Sequence, residues 1–269
     1  MVVKPYIGVT GASSVIEVNG ILAAFENMRI TMDSPFLPML GVQVSHKSLF
    51  TGKSEGNLRV PEMAEVPNIL AAVKGKAFST IHYYTVNVDK IVEEITTLME
   101  YGHIYDKRLV NGLQLNISLP QPSEIDAIKK RYPDIAITIQ IDYKNMDKNM
   151  IELYSNILSK CYANVDYILL DASLGKGVEL NPNVVREAYD SFKNSKSNAT
   201  IIVAGGIGPQ NVEEIATALK AMARGDAFGI DAEGRLRDKV GDGYGNDKLN
   251  MQYVNGYLAG AKKVLCNKL

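Results

Sequence analysis

Tyr167-Ile168-Leu169-Leu170-Asp171, Thr200-Ile201-Ile202-Val203-Ala204-Gly205-Gly206 and Phe228-Gly229-Ile230-Asp231 follow one another between residues 167 and 231. Each begins as a short continuous apolar run, the pattern of a strand buried on both faces of a parallel sheet. Each ends on a carboxylate or a pair of glycines. The segments between them, about Asn183 to Phe192 and Pro209 to Ala223, carry helical periodicity. Strand, helix and strand in alternation imply right-handed crossovers and a parallel sheet.

The same unit recurs toward the N-terminus. Strands are expected at Tyr6–Thr10, Gly41–Ser45, Ser79–Tyr84, Gly112–Asn116 and Ile135–Ile141. Helices are expected at Val15–Met28, Pro61–Val73, Val88–Glu100, from Ser123 to Arg131, and from about Asn149 to Cys161. A last helix spans Leu249–Leu265. Pro61 suits a first helical turn, and Asn87 and Ser123 suit N-caps. Eight such units, without a nucleotide-type GxGxxG after the first strand, favour a closed (β/α)8 TIM barrel over an open doubly wound sheet. One α/β domain covering residues 1–269 is expected, since such barrels run to about 250 residues. Ser48–Arg59, Gly102–Asn111 and Arg237–Asp247 read as surface insertions, and the Gly-rich last one as a mobile loop.

Bulk composition narrows the function classes. Apolar residues make up 46% and charged residues 22% of the 269, which fits a packed core. The net charge of −1 offers no field of one sign for nucleic acid or a membrane surface. A small phosphorylated or anionic molecule is the expected partner, and a homo-oligomer is left open. Cys161 and Cys266 form no metal or disulfide pattern, and no trio of ligating side chains has metal spacing. No cofactor or metal is expected. The first residues lack a signal-peptide core, so a cytoplasmic location is expected.

Reactive groups of such barrels stand at the C-terminal strand ends. That rule selects Thr10, His46, Lys47, His82, Gln114, Asn116, Asp142, Asp171, Gly205-Gly206 and Asp231. Asp171 leaves an apolar strand, where partial burial suits a carboxyl to general acid work. Gly175-Lys176-Gly177 permits close backbone approach to a ligand, with Lys176 available to an anionic group. Gly205-Gly206 precedes a helix and exposes backbone N–H groups, as phosphate loops after strand seven do. Glu233 places an anion beside that loop, and Arg235 stands ready to compensate it. His46 and His82 are read as satisfied structural histidines before any chemical role.

Leu113-Gln114-Leu115, Leu169-Leu170-Asp171, Ala204-Gly205-Gly206-Ile207-x-Pro-x-Asn-Val and Gly229-Ile230-Asp231-x-x-Gly234 together resemble phosphoribosylanthranilate isomerase. Gly41-Val42-Gln43-Val44 and Arg59-Val60-Pro61-Glu62 resemble that family's second strand and following helix. The family performs an Amadori rearrangement of an N-linked phosphoribosyl aromatic amine, in tryptophan biosynthesis, without cofactor or metal. The resemblance implies Asp171 as general acid and phosphate held at Gly205, Gly206 and Gly234. It implies substrate contacts at Gln114, and the carboxylate-binding arginine at Arg59 if Ser48 to Leu58 is an insertion.

The sequence also departs from the family. Thr10 occupies the catalytic position where the family has its cysteine base, and a hydroxyl is too weak an acid to supply a thiolate-like base. Asn116 replaces a histidine, and Ala232 and Glu233 replace two serines. Asp142, His46 or His82 would then have to serve as base. Two alternatives stay open: a lyase or hydrolase using Lys176 or Lys47 on the same barrel, and a non-catalytic barrel binding a small anion.

Overall fold

A computed structural model describes residues 3–54, 56–116, 119–142, 148–171, 182–195 and 198–266. Eight parallel strands close into a barrel in sequence order. They are β1 (Tyr6–Thr10), β2 (Leu37–Ser45), β3 (Phe78–Tyr84), β4 (Gly112–Leu115), β5 (Ala136–Asp142), β6 (Tyr167–Asp171), β7 (Thr200–Ala204) and β8 (Phe228–Ala232). The seam closes through β1 and β8, with Gly8 opposite Asp231.

Period-two alternation sorts each strand between two cores. Outward residues such as Val9, Val42, Ile81, Leu113, Leu170 and Val203 pack under the helices. Inward residues Tyr6, Leu37, Met39, Tyr167, Leu169 and Ile202 form a second cluster that fills the lower barrel. Tyr6 and Tyr167 meet edge to face at 5.2 Å between ring centroids, a favourable aromatic geometry. One step higher, the inward positions turn polar: Thr10, His82, Gln114, Gln140, Asp171 and Asp231 are all buried there. The plug below and the polar layer above fix where a ligand can sit.

The surrounding helices are α1 (Val15–Asn27), α2 (His46–Thr51), α3 (Val66–Val73), α4 (Ile91–Glu100), α5 (Pro122–Arg131), α6 (Lys148–Cys161), α7 (Pro182–Asn194), α8 (Val212–Ala223) and α9 (Met251–Ala261). Their starts correct several sequence expectations. Pro61 lies before α3, whose first turn holds Pro67 instead. Asn87 does stand at the N-cap position, of a short 3-10 turn at Val88–Lys90, but its side chain donates to Glu94 at 3.3 Å instead of capping. The fifth helix starts at Pro122, where Glu124 accepts from the Gln121 N–H at 2.7 Å, so Ser123 lies inside the first turn. The second strand begins four residues early, at Leu37, because Met39 fills the barrel interior despite the neighbouring Pro38.

The largest correction concerns Arg237–Asp247. Instead of a loose loop it contains an antiparallel hairpin, β9 (Arg237–Lys239) with β10 (Asp247–Leu249). Asn250 then caps α9, accepting from Gln252 N at 2.8 Å. The glycines expected to loosen the segment build its turn, with Gly243 and Gly245 at φ of 89° and 82°. No described helix is long and apolar enough to cross a membrane.

Candidate active site

Asp171 ends β6 and Asp231 stands next to last in β8, and both line a narrow cleft at the C-terminal mouth. Each is only 5% exposed. Burial is the main reason the Asp231 carboxyl is pushed up to about 8, with the charges of Glu233 and Asp171 adding to it. Hydrogen bonds from Thr10 pull the other way. Burial and neighbouring negative charge let Asp231 keep its proton near neutral pH, which an aspartate in water does not.

Thr10 is buried, and its hydroxyl lies 3.0 and 2.9 Å from the two oxygens of Asp231, donating its single proton to them. The position resembling the family's cysteine therefore carries a hydrogen-bond donor to a carboxylate. Gly8 permits the contact: a Cβ there would lie 2.4 Å from an Asp231 oxygen.

Asp171 is oriented from the other side. Gln114 Nε2 donates to Gln140 Oε1 at 3.0 Å, and Gln140 Nε2 donates to Asp171 Oδ2 at 2.9 Å. The carboxylate accepts, so Gln140 must present its amide nitrogen there and its oxygen to Gln114. The chain ends on Gln114 Oε1, which is buried without a protein partner among the described residues. Gln140 carried no signal in the sequence beyond its inward place in β5.

Gly205 and Gly206 adopt φ of 95° and 69°, conformations costly for any side chain. They line the cleft with Gly234. Beyond them, Asn211 accepts from Gly208 N and donates to Gly206 O, both at 2.9 Å, which fixes the turn entering α8. Glu233 turns its carboxylate toward β2, where it accepts from Gln43 Nε2 at 2.8 Å and Arg59 Nη1 at 2.5 Å. Arg235 packs against this turn, since a Cβ on Gly208 would meet its side chain at 2.6 Å.

Arg59 is not an open anion receptor. Its guanidinium is buried and holds Asp247 on β10 through Nε at 2.9 Å and Nη2 at 2.5 Å, as well as Glu233. Burial alone would ease its proton off, but Asp247 and Glu233 outweigh that and hold it firmly charged. Tyr244, on the hairpin turn, covers the guanidinium at 4.4 Å. Arg237 supports the closure, reaching Asp247 and donating to the carbonyl of Gly11. Tyr244 and Asp247 carry no local sequence signal, because their partner Arg59 stands far away along the chain.

His82 faces the barrel interior, and burial drives its pKa down to about 3, so the imidazole is neutral. Its Nε2 has no protein partner among the described residues. His46 lies outside the barrel wall with Nδ1 2.8 Å from Glu94, which also accepts from Tyr83 at 2.8 Å. It is a satisfied histidine of the helix layer. Asp142 ends β5 opposite Asp171 in register. Lys176 lies outside the described residues.

The family model described as N-(5'-phosphoribosyl)anthranilate isomerase matches residues 124–234. That span carries β5 to β8 and most of the carboxyl and glycine cluster. Among solved structures, phosphoribosyl anthranilate isomerase from Thermus thermophilus is similar at a TM-score of 0.63 and 15% identity, with 96% of this chain and 98% of that one covered. The enzyme from Thermotoga maritima gives 0.60 and 15%, covering 96% and 99%. A Rubisco-like protein from Rhodopseudomonas palustris gives 0.57 and 12%, covering 98% and 66%. At these identities the likeness shows the barrel, which hosts many chemistries. A search of curated proteins finds no match.

Proposed function

We propose, on the premise that this chain is a phosphoribosylanthranilate isomerase-like barrel, that it isomerises an N-linked 5-phosphoribosyl amine to the 1-deoxyketose, with Asp171 as general acid and Asp231 as general base. The observation that carries this is the pair of buried carboxyls at the ends of β6 and β8, beside two positive-φ glycines.

The reaction needs a proton delivered to the ring oxygen as the sugar opens, and a proton removed from C2. Asp171 gives the first and Asp231 takes the second, which leaves an enol-amine; C1 then takes a proton back from Asp231 as the 2-hydroxyl gives one up to Asp171. The pair therefore enters and leaves the cycle with one proton between its members, and the isomerisation needs no oxidant or reductant. A carboxylate whose pKa lies near 8 is a far stronger base than an ordinary aspartate and still ionises near physiological pH. Thr10 acts by positioning: its hydroxyl anchors Asp231. A base at Asp231 supplies what the family obtains from its cysteine, and neutral, weakly basic His82 is not needed for that role.

Backbone N–H groups at Gly205, Gly206 and Gly234 are the proposed phosphate cradle. The concern raised by Glu233 is met by its bonds to Gln43 and Arg59, which pair its charge toward β2.

The test is a direct assay of the purified protein with a panel of N-(5-phosphoribosyl) aromatic amines, following the 1-deoxyketose. Turnover by the native chain, with loss in both Asp171→Asn and Asp231→Asn, supports the proposal. No turnover with any amine, and no gain on Thr10→Cys, overturns it.

A further inference from the structure

A second cavity, of about 450 Å³, opens between the C-terminal ends of β2, β3 and β4. It adjoins the carboxyl cleft, sharing Gln43, His82, Asn116 and Tyr244 with it. Val44, Val60 and Tyr84 give it apolar walls, and Ser45 and Asn57 add neutral polar groups. No Lys or Arg is among the described residues lining either cavity.

We propose that this cavity receives the amine half of the substrate as an uncharged planar ring bearing a carboxamide, rather than a ring bearing a carboxylate. The inference rests on the phosphoribosyl-amine reading above and specifies which amine that site takes.

Three observations carry it. First, the arginine that would greet a carboxylate is closed off. Arg59 lies behind Tyr244 and is paired with Asp247 and Glu233, so its charge is already matched within the protein. An incoming carboxylate would be desolvated near Glu233 with no cation among the described residues lining the cavity to receive it, a costly placement for an ion. Second, two polar atoms of the adjoining cleft are buried and unpartnered among the described residues: Gln114 Oε1 and His82 Nε2. The Gln114–Gln140–Asp171 chain fixes the first as an acceptor, which needs a donor from the ligand. A carboxamide offers both an N–H and a carbonyl, whereas a carboxylate offers acceptors only. Third, Gly41 lets His82 Nε2 take its place at the site floor, because Thr10 and His82 fill the space a side chain would occupy. A Cβ there would lie 2.6 Å from Thr10 Oγ1 and 2.7 Å from His82 Nε2. The neutral state of His82 agrees with an uncharged ligand.

The experiment compares two stable reduced ligands by titration calorimetry at pH 7. Both carry a 1-deoxyribitol 5-phosphate chain on aniline nitrogen, one with an ortho-carboxamide and the other with an ortho-carboxylate. The carboxamide is expected to bind at least tenfold more tightly. Asp247→Asn, which loosens the hold on Arg59, is expected to shrink that ratio, with folding checked by circular dichroism. Equal affinity, or tighter binding of the carboxylate by the native chain, overturns the inference. Binding of neither also overturns it, and ribose 5-phosphate then tells whether the wider reading falls too. If the sugar phosphate still binds, the phosphosugar site stands and only the ring assignment fails; if it does not, both fail.

Discussion

Two buried charged clusters lie at the same end of this barrel and are built on opposite rules. Asp171 and Asp231 are like charges, attached to strands, with only neutral donors against them among the hydrogen bonds described above. Arg59, Arg237, Asp247 and Glu233 are opposite charges that satisfy one another and bind the β9–β10 hairpin to the barrel. The first cluster keeps a proton in play, because burial and like charge both resist ionisation. The second removes charge from play, because each guanidinium is matched by a carboxylate. Burial alone does not mark a catalytic group; the sign of its neighbours does.

The largest expected effect falls on the first cluster. Asp171→Asn and Asp231→Asn each remove one proton carrier and should lower kcat by about 10²–10⁴-fold while the barrel stays folded. Steady-state kinetics alongside far-ultraviolet circular dichroism check both halves. Next comes the second cluster. Asp247→Ala takes an ion-pair partner from both Arg237 and Arg59, so it should destabilise by about 3–5 kcal/mol, the usual cost of breaking a buried ion pair. Urea unfolding measures it. Together these two results would separate a cluster that works from a cluster that holds.

A pH series sharpens the contrast. Asp231 has a folded pKa near 8 against 3.8 for a free aspartate. The folded state therefore binds the proton more tightly, and the group's contribution is complete below about pH 4 and is lost as pH rises toward 8. Asp231→Asn should thus gain stability over the native chain at pH 8, with the difference shrinking toward pH 4. Thermal unfolding across that range would show parallel curves if the carboxyl were ordinary. The smallest effect is expected from Thr10→Val. Losing the hydroxyl should move the Asp231 inflexion upward by about one unit, since a hydrogen bond to a charged group is worth about 1.5–3 kcal/mol. Activity near pH 7 should fall about tenfold.

Strand periodicity made the barrel legible before any coordinates. The strands from Tyr167 to Asp231 needed almost no correction, because continuous apolar runs ending in carboxylates or glycines have few other interpretations. Helix starts were less legible. Pro61 and Ser123 are good local signals, yet neighbouring Pro67 and the Gln121–Glu124 pair fit the backbone better. The hairpin was misread because glycines favour mobile loops and tight hairpin turns alike. Asp171 could be singled out from its position alone. The state of Asp231 could not, since it depends first on burial in the closed barrel and then on Thr10, Glu233 and Asp171, brought together by the fold. Arg59 shows the same limit: its match to a family arginine was visible, but its pairing with Asp247 depends on a fold that brings distant segments together.

The pH dependence of kcat/KM on an N-(5-phosphoribosyl) amine tests the central claim most directly. Activity should hold up to an inflexion near 8 and fall above it, where the pair gives up the one proton its acid needs. The same profile should vanish into background in Asp231→Asn. A profile flat from pH 6 to 9, or an Asp231→Asn variant that keeps the native rate, would contradict it.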